Sequence, residues 1–315
     1  MLKAAKRSLL LQRLAIACAM LVIVITSLSA YIRLGNAGLG CADWPRCYGS
    51  KLRQAQQGID TRASESGATV AARMVHRIVA VAALLVIIVM AMACFTGGPI
   101  LRREGAMALA LLALALFLAV LGRWSGGARV PAVNIGNLLG GFAMLAICWR
   151  LRQRAGNTPV RRDNLRLRLF AGFALIVLLG QVALGGLISA GFAGLSCPGV
   201  LDCGANIQAN LTLEAFDPWR EPVFAATVTP PANPAGAMIH MAHRFGAIAM
   251  TLAIGLLAWS AIRSGQVRAG WVLLGLLGLE MLLGVLLVAL SLPLGVALMH
   301  NLVAALMLAV VLALV

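Results

Sequence analysis

Eight separate apolar stretches, each about 20 residues or longer, run along the 315-residue chain, and no other feature constrains its fold as strongly. They lie at roughly 13–34, 70–95, 105–123, 130–149, 168–190, 236–262, 268–289 and 293–315. Each can cross a bilayer core as a helix, which satisfies its own backbone groups where no water is present. The predicted fold class is an all-α integral membrane protein with eight transmembrane helices, and its first partner is the lipid bilayer. The first stretch is too long for a cleaved signal and ends in Tyr31-Ile32-Arg33 without a small-residue cleavage site, so it reads as a span. Charged residues make up 11% of the chain, less than half the usual share, which excludes an ordinary soluble protein. The net charge of +16 does not point to nucleic acid, because the Lys and Arg residues cluster between the spans.

That clustering predicts orientation. Lys3, Lys6, Arg7 and Arg13 precede the first span, and Arg102 and Arg103 follow the second. Arg150, Arg152, Arg154, Arg161, Arg162, Arg166 and Arg168 fill the connection after the fourth, and Arg263 and Arg268 follow the sixth. With eight alternating spans all of these share one side, which makes both termini cytoplasmic in an inner (plasma) membrane. The two long connections, roughly 35–69 and 191–235, then lie on the outer face. The second carries Asp202, Glu214, Asp217 and Glu221 against Arg220, while the first mixes Arg46, Lys51, Arg53 and Arg62 with Asp43, Asp60 and Glu65. Trp44, Trp124 and Trp219 fall near outer ends and Trp149, Trp259 and Trp271 near inner ends, as interfacial anchors do.

The chain also repeats itself. Ala37-Gly38-Leu39-Gly40-Cys41 matches Ala193-Gly194-Leu195-Ser196-Cys197, and a further cysteine follows each, at Cys47 and Cys203. Met74-Val75-His76-Arg77 matches Met241-Ala242-His243-Arg244, in the second and sixth spans. The expectation is two duplicated four-helix bundles, residues 1–155 and 156–315, related by a parallel pseudo-twofold axis along the membrane normal.

Cys18, Cys94 and Cys148 fall within or at the ends of spans and read as small buried hydrophobes. Cys41/Cys47 and Cys197/Cys203 lie in the two outer loops, where an oxidising face favours a disulfide in each; free thiols or zinc are the rivals, although neither loop contains a His. A bridge there would stiffen a loop over a membrane-embedded site.

All four histidines, His76, His240, His243 and His300, lie in even-numbered spans. His76, His243 and His300 sit about 10 Å below the outer ends of their spans, on the rise of a helix. Ionisable side chains at that depth are costly and mark functional sites. No carboxylate is expected at the same depth to complete a zinc or di-iron site. Paired imidazoles from facing helices with glycine nearby fit bis-histidine ligation of haem. Gly185, Gly186 and Gly191 would admit a flat macrocycle, and Arg77 and Arg244 would neutralise haem propionates or else snorkel to the interface.

At these residues the chain resembles the haem A synthase family. The likeness rests on Gly38 through Cys47 after the first span, His76-Arg77 in the second, Gln181 through Cys197, and Leu292-Pro293-Leu294 followed by His300-Asn301. The resemblance implies an eight-helix oxidoreductase that converts haem O to haem A by oxidising a ring methyl to a formyl group. It implies a haem b between His243 and His300 in the C-terminal half, and haem O as substrate near His76 in the N-terminal half. It further implies a farnesyltransferase-type supplier of haem O and an electron donor of unknown identity; homo-oligomerisation is left open. The catalytic residue carried over is His76, and the haem-iron ligands are His76, His243 and His300.

The chain departs from the family pattern in the N-terminal half. Its fourth span has Gly136-Asn137 where a second His is expected, and Arg73 stands where family members commonly have a Glu. Two other readings therefore accompany the synthase: a catalytically altered bis-histidine cytochrome or haem-handling protein, and a transporter using Glu280 of the seventh span. Gln181 of the fifth span is read as a candidate repeat counterpart of Glu280, and His240 either supports His243 or is merely interfacial.

Overall fold

The computed structural model describes residues 2–59, 66–96, 98–125, 129–156, 164–197, 199–200, 203, 212–223, 233 and 235–315. The charges at Asp60, Arg62, Glu65, Arg161, Arg162 and Asp202, used above for orientation, lie outside the described residues. Among the described residues the regular structure is helical: α1 (Leu2–Ala37), α2 (Ser50–Gln56), α3 (Gly67–Phe95), α4 (Arg102–Ser125), α5 (Pro131–Ala155), α6 (Leu165–Ala190), α7 (Gly236–Arg263), α8 (Val267–Ala289) and α9 (Leu294–Leu314). All but the short α2 are long and apolar enough to cross a membrane. The protein is a multi-pass membrane protein.

The helix boundaries follow local chemistry. Ser66 caps α3 by accepting from the Thr69 amide, and Asn164 caps α6 by accepting from Leu167. Pro131 opens α5 at a position where its missing N–H costs nothing. The largest departures from the expected spans are at α1, which begins at Leu2 rather than residue 13, and at α5, which runs on to Ala155 rather than 149. A smaller one matters for the site: α3 begins at Gly67 rather than residue 70, so His76 lies deeper from its helix start than a matched depth implied.

The helices form two rings. In the first, α1 packs on α3 and α5, and α4 closes the circle between them; in the second, α6–α7–α8–α9 follow the same cyclic order. The rings meet along α1, α5, α6 and α9. Leu145, Leu178, Met307 and Leu308 belong to one buried cluster spanning that seam. Outward faces are apolar too: Met74, Ile78, Val81 and Leu85 make an exposed stripe along α3, as a lipid-facing surface requires.

At the arginine-rich end, α1 ties other helices together. The Arg7 guanidinium donates to the carbonyls of Ala93 (2.6 Å), Cys94 (2.6 Å) and Pro99 (2.8 Å), satisfying orphan acceptors at the end of α3. Ser8 and Gln12 both donate to the Ala155 carbonyl at the end of α5. Arg152 stacks on Trp149 and Arg263 on Trp259, at 5.0 and 5.7 Å, which pairs aromatic anchors with cations.

At the opposite end both cysteine pairs form bridges, with Cα–Cα distances of 6.6 Å for Cys41–Cys47 and 4.6 Å for Cys197–Cys203. Cys18, Cys94 and Cys148 are free and buried, as expected. The first loop turns back at Gly38, whose φ is +100°; a Cβ there would lie 2.6 Å from the Cys47 carbonyl oxygen. Tyr48 from this loop is buried against Trp44 and Phe192, and its hydroxyl accepts from the Gly194 amide at 3.3 Å. Burial pushes its phenol pKa up. The second loop reaches the other way. Pro218 accepts from the Ala132 amide at the start of α5 (2.7 Å), and Pro222 accepts from Gln56 of α2 (3.1 Å). Each half is therefore covered partly by the loop of the other.

Candidate functional site

His243 on α7 and His300 on α9 face each other inside the second ring, with ring centroids 6.5 Å apart and planes at 73°. A ligating imidazole nitrogen sits about 2 Å from its metal and about 1 Å from its own ring centre, so two rings sharing one ion have centroids roughly 6 Å apart. The observed spacing meets that requirement. The other two helices of the ring supply polar groups to these histidines. Gln181 of α6 donates to the His243 backbone carbonyl at 2.9 Å and lies 3.4 Å from its Nε2. Glu280 of α8 places Oε1 3.4 Å from His300 Nδ1. The Nδ1 atoms of both histidines are buried without hydrogen bonds.

Glu280 corrects one sequence expectation. A carboxylate does lie at the depth of the histidines, because α8 packs against both α7 and α9 and brings position 280 level with 300. Its Oε1 lies 3.4 Å from Nδ1 without forming a hydrogen bond, close enough for the carboxylate to orient the imidazole when the other ring nitrogen takes a ligand. In the register of the cysteine loops Gln181 corresponds to Ile25, so that register does not pair it with Glu280. The two groups instead serve one histidine each.

A glycine sits against each ring. A Cβ at Gly185 would lie 3.3 Å from His243 Cε1, and one at Gly284 would lie 3.6 Å from His300 Cε1. The expected roles of Gly186 and Gly191 do not hold. Gly186 faces Leu138 and Ile135 across the seam between the rings, and a Cβ at Gly191 would strike the Leu187 carbonyl where α6 ends. Gly284 carried no signal in the sequence, being one of several glycines in α8. Among the described residues no group of three His, Cys, Asp or Glu side chains could hold a metal ion. Two facing imidazoles, each beside a glycine and with no third protein ligand among the described residues, fit a planar iron macrocycle better than a bare ion.

In the first ring, His76 on α3 meets Ser29 on α1, with Oγ 3.0 Å from Nε2. No histidine faces it from α5: Gly136 lies against Leu121 of α4, and Asn137 is half-buried. Sequence reasoning passed over Ser29. The cysteine-loop register would have found it, because Ser29 corresponds to Gly185, the residue beside His243.

The two arginines that follow the histidines have different surroundings. Arg77 is exposed on α3. Arg244 donates to the carbonyls of Gly199 (2.9 Å) and Val200 (2.8 Å), so its guanidinium ties the second cysteine loop to α7. His240, one turn before His243, is buried beneath that loop. There Ser196 donates to the Asn233 carbonyl (2.7 Å), and Asn233 donates to the Gly191 carbonyl (2.8 Å).

Fold and site together define a polytopic helical membrane protein with two histidines facing each other inside one four-helix ring and one histidine against a serine in the other. The family profile described as cytochrome oxidase assembly protein (COX15-CtaA) matches residues 12–312. The haem A synthase of Shewanella oneidensis MR-1 is 33% identical over 302 residues, covering 91% of this chain and 90% of that protein. The chain belongs to this family.

Proposed function

We propose that this protein is a membrane haem A synthase, an oxidoreductase that converts the ring methyl of haem O to a formyl group. Family membership over nearly the whole chain supports this activity. The observation that carries the site assignment is the 6.5 Å separation of His243 and His300 between glycines. In this reading His243 and His300 hold a haem b, which when bound supplies one-electron transfer. Gln181 fixes the backbone at His243, and Glu280 orients His300. Haem O enters the N-terminal half as substrate, at His76, whose ring is held by Ser29. With no histidine on α5, this chain would offer haem O at His76 one histidine, which would leave room for the oxygen chemistry of the reaction. The bridged loops over both rings limit access of water from that end.

The halves 1–155 and 156–315 are read as a duplication, supported by their common cyclic helix order. The positive-inside pattern supports cytoplasmic termini, with the cysteine loops on the outer face of the inner membrane. Haem O would come from a farnesyltransferase-type enzyme, and the electrons from a separate donor. Co-expression with a haem O source, followed by chromatography of extracted haem, tests the activity. Haem A should appear; haem O alone, with the protein folded and in the membrane, would overturn the reading.

A further inference from the structure

We infer that Arg33 is an anion-binding residue of the N-terminal half and holds a propionate carboxylate of the porphyrin substrate. This rests on the substrate site proposed above. Thr26, Ser29 and Arg33 are spaced i, i+3, i+7 on α1 and so share one helical face. Thr26 abuts α5, where a Cβ at Gly141 would lie 2.6 Å from its Cγ2, and Ser29 meets His76 on α3 at 3.0 Å. Arg33 continues that face between α3 and α5, one turn, or about 6 Å, nearer the cysteine loops.

Its Nε is buried and makes no hydrogen bond, and no carboxylate among the described residues pairs with it. A guanidinium keeps its charge, and a buried N–H of it left without an acceptor is costly. The C-terminal half has no such demand. There the corresponding residue is Ser189, whose hydroxyl is satisfied by the Gly186 carbonyl at 3.2 Å. The cation therefore belongs to the His76 side alone. Haem O carries two carboxylates on one edge of an otherwise apolar ring, and a guanidinium fork matches a carboxylate in two parallel hydrogen bonds. Arg33 thus turns the propionate edge toward the cysteine-loop end and leaves the farnesyl-bearing part of the ring to the apolar span region. A lipid phosphate offers the same anionic chemistry, and the experiment must separate the two.

The full-length protein with its resident haem, in nanodiscs of zwitterionic lipid, is titrated with haem O and with haem O dimethyl ester while the Soret band is followed. Wild type should bind the free acid at least tenfold more tightly than the ester, and in R33Q the ratio should fall to within about twofold. R33Q that keeps the wild-type ratio overturns the proposal while leaving the substrate site standing. Wild type that binds neither form overturns both. Where R33Q fails to retain its resident haem, R33K decides: a ratio reduced at least threefold supports the fork geometry, and an unchanged ratio overturns it. Native mass spectrometry in nanodiscs containing phosphatidylglycerol provides the other arm. Loss of a tightly held phosphatidylglycerol in R33Q, with the acid-to-ester ratio unchanged, assigns Arg33 to lipid and overturns the proposal.

Discussion

His243 lies against a glycine at the position where His76 lies against a serine, and around that difference the two rings diverge. The C-terminal ring gives its histidine a facing partner, His300, and polar support from Gln181 and Glu280. The N-terminal ring gives His76 one hydroxyl and places Gly136, packed on Leu121, where the partner would stand. A site that keeps a group permanently benefits from two fixed ligands and oriented imidazoles. A site that must exchange substrate and leave iron open benefits from one. On the proposed function, the same helix order would carry a holding site in one ring and a working site in the other, distinguished by a handful of side chains.

The sharpest way to break this contrast is to remove ligands. His243→Ala or His300→Ala should strip most of the haem that co-purifies with the protein, whereas His76→Ala should retain it; an absorbance spectrum of each purified variant decides. Equal loss from all three would erase the distinction between the rings. Making the holding site resemble the other is gentler. Gly185→Ser puts a side chain within 3.3 Å of His243 Cε1 and should weaken haem retention roughly tenfold, read by transfer of haem to an acceptor apoprotein.

Opening the bridges comes next. Replacing either cysteine pair with serine should cost about 2 kcal/mol of stability, measured by thermal denaturation in detergent. Loss of Cys197–Cys203 should also speed haem release, because Arg244 couples that loop to the His243 helix; equal release rates from the two variants would remove that link. Glu280→Gln should keep the haem but raise its midpoint potential by about 30–60 mV, near 1 kcal/mol, since a carboxylate makes the imidazole more basic than an amide does. An unmoved potential in a redox titration would show that Glu280 does not act through His300. The smallest effects are expected at single hydroxyls. Ser29→Ala and Tyr48→Phe should each cost about 1 kcal/mol or less. Only Ser29→Ala should speed diethyl pyrocarbonate modification of His76.

The spans were legible because bilayer thickness imposes a length and composition on each, and their ends mostly fall within a few residues of the structure's. The cysteine pairs and the facing of His243 and His300 were legible for a similar reason: rare polar groups in an apolar chain stand out. Glu280 was misread because depth along α8 depends on how that helix shifts against α9, which no spacing within one helix encodes. The loop contacts of Arg244 were not legible, because its sequence position beside a histidine says nothing of the carbonyls that reach it. Ser29 looked like an ordinary small polar residue in a span until helix packing brought it to an imidazole.

The crossed loops bear on how the protein is made. Residues 212–223, which contact α2 and the start of α5, belong to the second half of the chain. The first ring therefore leaves the insertion machinery with part of its cover still unsynthesised, and acquires it only after the fifth span has been threaded. Covering of the first ring is then tied to synthesis of the later loop, and a polypeptide arrested after the fourth span would leave α2 and the start of α5 uncovered.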